Sequence, residues 1–244
     1  DGFKEGPYAF KHNNKYYLTF PWVQDKTETL AYAMADSPMG PFTFTGIIMD
    51  ESPSGCWTNH HSITEYNGQW YLFYHHNDYS PNFDKNRSAR IDSLFFNTDG
   101  TIKKVKPTLR GVGITDARSK IQIDRYSTIS PYGVTIDYLE PSNTFEGWQT
   151  LFNRAGTWVT YNKVDFGTTP VKRLKARVRS EKGGAITLRT PGEKGMTIAE
   201  LPIKPTGKWT EISTNVSNAP TSMQDLIITQ TGENPVAVDW ISFE

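Results

Sequence analysis

Apolar and polar residues alternate over short stretches along the whole chain, a pattern that predicts β-strands. No window keeps apolar residues at the 3.6-residue spacing of a helix for more than a turn or two, so we expect almost no helix. In residues 174–179 (LKARVR) the apolar side chains share one face and the cations the other, which predicts a strand with one buried and one solvated face. The sequence therefore predicts an all-β protein.

One stretch near the start of the chain recurs further along. Residues 5–20 (EGPYAFKHNNKYYLTF) align with residues 59–74 (NHHSITEYNGQWYLFY), an offset of 54 residues that pairs Tyr17 with Tyr71. Each copy is predicted to form four short strands, with a hairpin turn at residues 12–15 of the first copy, because asparagine tolerates the positive φ of a tight turn. Four-stranded units that recur at such a spacing are typical of β-propeller blades.

Beyond about residue 115 the blade pattern ends and shorter strands alternate with turn residues, which predicts a β-sandwich. The strands expected there are 120–127, 133–139, 158–166, 171–179, 185–189, 196–201, 209–214, 226–230 and 236–243. We therefore expect two domains, a propeller portion at residues 1–115 and a sandwich at residues 116–244.

Composition narrows the range of partners. The 26 basic and 26 acidic residues cancel, which argues against nucleic acid or an anionic membrane as the main partner and favours a neutral substrate. Cys56 is the single cysteine, so no internal disulfide is possible. The sequence contains no run of 18 apolar residues, so no membrane-spanning helix is predicted. An aromatic content of 13% with 19 glycines and 15 prolines agrees with many strands and turns.

The segment from Glu5 to Pro7 places one carboxylic acid at the head of a strand that we expect to be buried. Gly6 allows backbone or a ligand to approach closely, and Pro7 fixes φ and removes a backbone donor. Such an arrangement suits a positioned proton donor. The alternative is a solvated glutamate before an ordinary strand.

Three motifs stand out in the first half: EGPY (5–8), NHHS with WYLFYH (59–62 and 70–75) and RSARIDSLFFNTDGTI (87–102). Together they resemble glycoside hydrolase family 43, whose five-bladed propeller enzymes act on xylan and arabinan. The resemblance covers roughly residues 1–110 and implies that they form the last blades of the propeller. It also implies that Glu5 is the general acid of an inverting glycosidase that releases arabinofuranose or xylose from hemicellulose.

The family also uses an aspartate base and a second aspartate that orients the acid, both on earlier blades. Neither motif is in this sequence, and Asp1, Asp36, Asp50 and Asp92 stand in other contexts. The resemblance therefore implies an N-terminal portion of the same enzyme as partner, hemicellulose as substrate and a secreted or periplasmic location. The alternative is a non-catalytic carbohydrate-binding fragment.

Three further residues are candidates for the substrate site. Trp22 either stacks on a sugar ring or packs in the core or rim. By the resemblance, His60 lies near the propeller axis beside a metal ion or water, and a calcium-type ion suits it better than zinc; the alternative is a histidine satisfied by backbone groups. Arg87 reaches the sugar or steadies the acid, with Arg90 as the second choice, or is a surface arginine.

The sequence contains two pairs of adjacent histidines. Successive side chains of a strand point to opposite faces, so His60 and His61 cannot both reach one site. His75 and His76 are expected in a polar loop that follows the second strand of the second copy.

The second half resembles a family 6 carbohydrate-binding module, a jelly-roll domain, through KIQIDRYS (120–127), GTWVTYNKVDFG (156–167), TGKWTEIS (206–213) and VDWISFE (238–244). The resemblance implies that Trp158 and Trp209 sandwich a sugar ring, the alternative being core packing. Ala237 stands where the family has a hydrogen-bonding asparagine. The resemblance also implies a structural calcium ion held by Gln122, Asp124 and Asp239.

Overall fold

The computed structural model describes residues 2–80, 83–193 and 195–244. The chain divides into two compact units, one that ends at Val112 and one from Gly113 to Glu244. Over the described residues the only helical element is a single 3-10 turn (Thr144–Glu146), so the expected all-β class is confirmed. None of the described residues forms a helix long and apolar enough to cross a membrane.

The strands of the first unit are β1 (Tyr8–His12), β2 (Lys15–Val23), β3 (Glu28–Ala35), β4 (Thr43–Met49), β5 (His61–Tyr66), β6 (Gln69–His76) and β7 (Ser88–Leu94). They form two antiparallel sheets, in the orders β1-β2-β3-β4 and β5-β6-β7. The first copy of the repeat thus has the four strands expected. The second has three, because beyond β7 the chain forms only an isolated bridge between Phe96 and Ile102.

The two copies turn in the same way. Asn13 and Asn14 connect β1 to β2 with φ angles of 44° and 61°, and Asn67 and Gly68 connect β5 to β6 with φ angles of 51° and 78°. Positive φ at both central residues is the type I′ geometry, whose twist matches that of the flanking strands. The predicted turn at residues 12–15 is therefore confirmed.

The core of the first unit lies between its two sheets and draws buried side chains from both. Tyr17 and Leu30 come from the first sheet, and Ile63, Leu72 and Leu94 come from the second. The hydroxyl of Tyr17 donates to the carbonyl of Gly100 (2.6 Å), and burial raises the pKa of Tyr17 to about 12. A neutral phenol is thus held in the core with its polar tip satisfied.

The second unit is a sandwich of two six-stranded sheets. The strands are β8 (Thr115–Asp116), β9 (Ile121–Gln122), β10 (Thr128–Ile129), β11 (Val134–Tyr138), β12 (Trp148–Phe152), β13 (Trp158–Asp165), β14 (Arg173–Arg179), β15 (Gly184–Arg189), β16 (Thr197–Ile203), β17 (Thr210–Asn215), β18 (Met223–Gln230) and β19 (Val236–Phe243). One sheet has the order β10-β13-β18-β15-β16 with β8 beside β13, and the other has the order β11-β12-β19-β14-β17 with β9 beside β19.

The sequence missed three strands of this sandwich, β8, β10 and β12, and overextended another. β8 and β10 have only two residues each, too few for alternation to identify them. β12 was not predicted because its buried residues include Gln149 and Thr150, which breaks the alternation that identifies a half-buried strand. The strand expected at 120–127 is only the two residues of β9. Elsewhere the alternation holds, as in β14, where Leu174 and Val178 are buried and the two cations between them are not.

Candidate functional site

The two copies of the repeat bring their first residues together. Glu5 lies just before β1, His60 lies just before β5, and Oε1 of Glu5 is 3.1 Å from Nε2 of His60. The Glu5 side chain is 61% exposed and that of His60 is 31% exposed. The strand that follows Glu5 is half-exposed rather than buried as expected, because β1 is an edge strand whose alternate side chains face solvent. The carboxyl group is therefore open to a ligand and fixed from one side.

Gly6 explains how the imidazole comes so close to the acid. Its φ is +62°, and a Cβ atom built there would lie 3.3 Å from ring atoms of His60. A side chain at this position would be strained and would press on the ring. The close approach expected beside Glu5 is thus made by a side chain of the protein itself.

A second histidine fixes the backbone of the first. The N–H of His60 donates to Nε2 of His75 (3.1 Å), which makes this nitrogen an acceptor and places the ring proton on Nδ1. Burial, followed by the positive charge of Arg87, lowers the pKa of His75 to about 4. His75 is therefore neutral near pH 7 and lies at the end of β6, not in the polar loop that the sequence predicted.

His61 points away from this site, as the alternation of a strand requires. Its Nε2 is 2.6 Å from the hydroxyl oxygen of Thr19, which in turn donates to the carbonyl of Tyr8 (3.0 Å). Burial and the neighbouring His60 lower the pKa of His61 to about 4. One histidine of the pair thus faces the acid and the other joins the two sheets of the unit.

Trp22 packs against aromatic and apolar side chains of the first unit. Its ring centroid is 5.1 Å from that of Phe44, and it packs against the cluster formed by Phe20, Ala31 and Ala33. These contacts favour the packing interpretation, and a role for Trp22 in sugar stacking stays a prediction.

The two candidate arginines differ in exposure. Arg87 is exposed, whereas Arg90 is buried, donates to the carbonyl of Thr108 (3.0 Å) and forms an ion pair with Asp78. Arg90 therefore holds the loop before β7 to the chain that follows it. Arg87 stays the candidate for substrate contact.

Three aspartates of the first unit, Asp36, Asp50 and Asp92, have partners of their own. Asp36 pairs with Lys15 (2.5 Å) and Asp50 with Lys104 (2.6 Å). Asp92 is buried and accepts hydrogen bonds from Tyr74 (2.6 Å) and Thr108. Burial raises the pKa of Asp92 against the lowering effect of these hydrogen bonds. Asp1 lies outside the described residues.

In the sandwich, Trp158 and Trp209 have separate surroundings. Trp158 begins β13 and lines a pocket of about 450 Å³ with Tyr132 and Arg154. Trp209 precedes β17 in the other sheet, with the guanidinium carbons of Arg177 and Arg179 at 5.5 and 5.1 Å from its ring centroid. Sequence reasoning missed Tyr132 and Arg154, although a tyrosine beside a turn glycine was a signal. The roles of the two tryptophans in sugar binding stay predictions.

The residues predicted to bind calcium line one pocket of about 300 Å³. Asp124 and Asp239 are buried, and Gln122 adds an amide oxygen, a donor set that fits calcium. Arg177 donates to Oδ2 of Asp239 (2.7 Å), and Nε of Arg125 is 3.3 Å from Oδ2 of Asp124. Burial raises the pKa of Asp239, while Arg177 and Lys120 lower it. Calcium would therefore share these carboxylates with arginines.

A metal ion beside His60 has less support. Among the described residues, no group of three or more histidine, cysteine, aspartate or glutamate side chains is arranged to hold a metal. The ion expected at His60 stays a prediction.

The fold is that of a propeller segment of the glycosidase type followed by a sandwich of the carbohydrate-binding-module type. Residues 2–102 match the family model of glycosyl hydrolases family 43, and residues 130–244 match that of the family 6 carbohydrate binding module. The two families inferred from the motifs are thereby confirmed.

Relatives by sequence support the glycoside hydrolase assignment. An arabinoxylan arabinofuranohydrolase of Paenibacillus polymyxa is 28% identical over 93% of this chain and 40% of its own length. A beta-xylosidase of Xylanibacter ruminicola is 43% identical over 43% of this chain and 31% of its own length. The chain thus spans well under half of these curated relatives.

One solved structure supports the fold of almost the whole chain. The family 43 arabinoxylan arabinofuranohydrolase from Bacillus subtilis, crystallised in complex with cellotetraose, covers 99% of this chain and 54% of its own, with a TM-score of 0.59 and 24% identity. The expected combination of propeller strands and a jelly-roll sandwich is confirmed by this similarity.

Proposed function

We propose that this chain supplies the general acid of a glycoside hydrolase that acts on xylan or arabinoxylan, with Glu5 as that acid. The observation that carries the proposal is the contact between Glu5 and His60 in a segment that matches family 43. A general acid must be held within hydrogen-bond reach of the oxygen it protonates, and an open carboxyl group steadied from one side meets that condition.

The proposed reaction is hydrolysis with inversion. Glu5 transfers its proton to the glycosidic oxygen as the bond to the anomeric carbon breaks. A water molecule attacks that carbon from the opposite face and gives a proton to an aspartate base, with the two carboxyl groups about 6.5 to 9.5 Å apart. The base comes from an N-terminal portion of the same enzyme, because the acids of the first unit described above have other partners.

The proposed substrate is hemicellulose, from which arabinofuranose or xylose is released. Relatives named arabinoxylan arabinofuranohydrolase and beta-xylosidase support this class, and a formal net charge of zero suits a largely neutral polysaccharide. A polymer outside the cell implies a secreted or periplasmic enzyme. Arg87, which is exposed, and His60 are the proposed substrate contacts beside the acid.

The sandwich offers a second function, glycan binding without cleavage. The pocket that holds Trp158 combines aromatic and polar side chains, which is the lining that sugar sites use. We also propose that calcium binds at Gln122, Asp124 and Asp239 and stabilises the sandwich, because all three side chains line one pocket.

Calorimetric titration of the 244-residue chain with xylo-oligosaccharides, beside an assay of sugar release, separates these functions. We expect binding without release by the chain alone, and release once the N-terminal portion of the enzyme is added. Release by the chain alone would show that the base lies within it. Binding that never leads to release, even with that portion present, would leave the non-catalytic fragment as the function.

A further inference from the structure

The pocket beside Trp158 lies between two loops of the sandwich. One loop, residues 130–133, follows β10, and the other, residues 153–157, joins β12 to β13. Its lining residues are Ser130, Pro131, Tyr132, Arg154, Ala155, Gly156, Thr157 and Trp158. The pocket thus has two aromatic side chains and one cation.

The cation is held in a fixed position over an aromatic ring. The guanidinium carbon of Arg154 is 3.9 Å from the ring centroid of Tyr132, a residue that is 64% exposed. Gly133 makes room for the stem of the arginine, since a Cβ there would lie 3.3 Å from Cγ of Arg154 and 2.7 Å from Thr157. A guanidinium stacked by its face keeps the N–H groups of its edge available for a ligand.

Backbone hydrogen bonds tie the two loops together. The N–H of Ser130 donates to the carbonyl of Trp158 (2.9 Å), and the N–H of Asn153 donates to that of Gly133 (2.8 Å). The hydroxyl of Thr157 donates to the carbonyl of Arg154 (2.7 Å). The pocket is therefore largely pre-formed, so that a ligand need not order it.

The charge of the pocket is not balanced by its own lining. Arg154 is the one charged residue of the eight, and among the described residues none forms an ion pair with it. Arg177, which also lies beside an aromatic ring, differs because it pairs with Asp239. A planar guanidinium with a free edge favours a carboxylate, which it binds with two parallel hydrogen bonds.

We propose that this pocket binds a uronic acid, a sugar whose ring carries a carboxylate, as a side group or unit of the polysaccharide. The sugar ring packs on the indole of Trp158, and the carboxylate accepts from the guanidinium edge of Arg154. The inference rests on the proposed binding of hemicellulose, and it adds a preference for acidic over neutral glycan.

The test is calorimetric titration of the full chain with three probes. They are a linear xylo-oligosaccharide, the same oligosaccharide with one glucuronic acid side group, and an oligogalacturonate, which separates a side-group acid from a backbone acid. The variants are Arg154→Met, which keeps the stem and removes the charge, Tyr132→Ala, and Arg173→Met as a matched surface arginine on the other sheet.

We expect the unmodified chain and Arg173→Met to prefer an acidic probe by about tenfold, the size of one charge-assisted contact. This preference should shrink in high salt, since exposed charges are screened. The Arg154→Met variant should lose the preference for acidic probes and keep its affinity for the neutral probe. The Tyr132→Ala variant should bind the acidic probe more weakly. Unchanged melting temperatures would show that the variants are folded.

Equal affinity for all three probes, or a preference that survives Arg154→Met, would overturn the inference. Neutral binding that persists in those cases would leave the proposed glycan binding intact. Sugar release by the complete enzyme without any binding to the sandwich would overturn the inference and leave the proposed activity standing.

Discussion

Oε1 of Glu5 lies 3.1 Å from Nε2 of His60, 55 residues further along the chain. The contact joins the entrances of the first strands of two successive sheets, so one repeat positions the acid of the other. Gly6 gives the imidazole room, and His75 holds the backbone of His60 from behind. The acid is thus fixed by elements that the fold brings together and that no single motif contains.

The first prediction concerns Gly6→Ala. An alanine at a φ of +62° is strained, and its Cβ would press on the His60 ring, so we expect a loss of about 1 to 2 kcal/mol in the free energy of unfolding. Denaturant titration measures it. Gly68→Ala is the matched control, because it has a φ of +78° and nothing within 4 Å of the added Cβ. Equal losses in the two variants would show that contact with His60 costs nothing.

The second prediction concerns His60→Ala as a positioning variant. Without the imidazole the carboxyl group of Glu5 is free to rotate, and misplacement of a catalytic group costs up to about 100-fold in rate. We expect kcat of the complete enzyme to fall by about 10- to 100-fold with a smaller change in KM. A change in KM alone would show that His60 contacts the substrate without positioning the acid.

The third prediction concerns acidification. The pKa of His61 and of His75 is lowered to about 4, and that of His76 to about 3, in each case first by burial. Because the unfolded pKa is about 6.5, the unfolded chain binds more protons between pH 6.5 and about 4. The stability of the first unit is therefore complete above pH 6.5 and falls as the pH drops, by at most about 1.4 kcal/mol per pH unit for each histidine.

Hydrogen exchange resolved by peptide measures this effect in each unit separately. All five histidines lie within the first 76 residues, so the sandwich is an internal control. We expect faster exchange at pH 5 than at pH 7, after correction for intrinsic rates, in the first unit alone. An equal change in both units would show that the histidines are not its source.

The fold was largely predictable from the sequence because it depends on local alternation and turn chemistry. The paired asparagines of the first hairpin and the aligned tyrosines indicate the repeat. The alternation of apolar and polar residues identifies strands such as β14. β12 was not predicted because Gln149 and Thr150 are polar residues that are nevertheless buried. Their burial is decided by neighbouring strands, which alternation within one segment does not report.

The site was less predictable because its geometry depends on contacts between distant residues. Glu5 and His60 were each identified as candidates, but their contact follows from the packing of one sheet beside the next. The separate surroundings of Trp158 and Trp209 follow from their positions in opposite sheets. A resemblance carries over residue types, whereas partners such as Arg154 for Tyr132 emerge only from the fold.

The fourth prediction concerns calcium. An ion that binds the folded sandwich alone stabilises it by about 3 kcal/mol at a concentration 100 times its Kd. We therefore expect calcium to raise the melting temperature of the chain and a chelator to reverse the change. Asp239→Asn should abolish the response, while Asp225→Asn, an acid outside this pocket, should keep it. No response in the unmodified chain would show that Arg125 and Arg177 neutralise these carboxylates instead.

The most direct test of the account replaces Glu5 by Gln in the complete enzyme that contains this chain, with Glu211→Gln on the sandwich surface as control. Loss of the proton donor should slow the release of poor leaving groups, such as the sugars of xylan, by about 100-fold or more. Nitrophenyl glycosides, whose leaving group needs little protonation, should be affected far less. Equal losses on both substrates would contradict the assignment of Glu5 as the general acid.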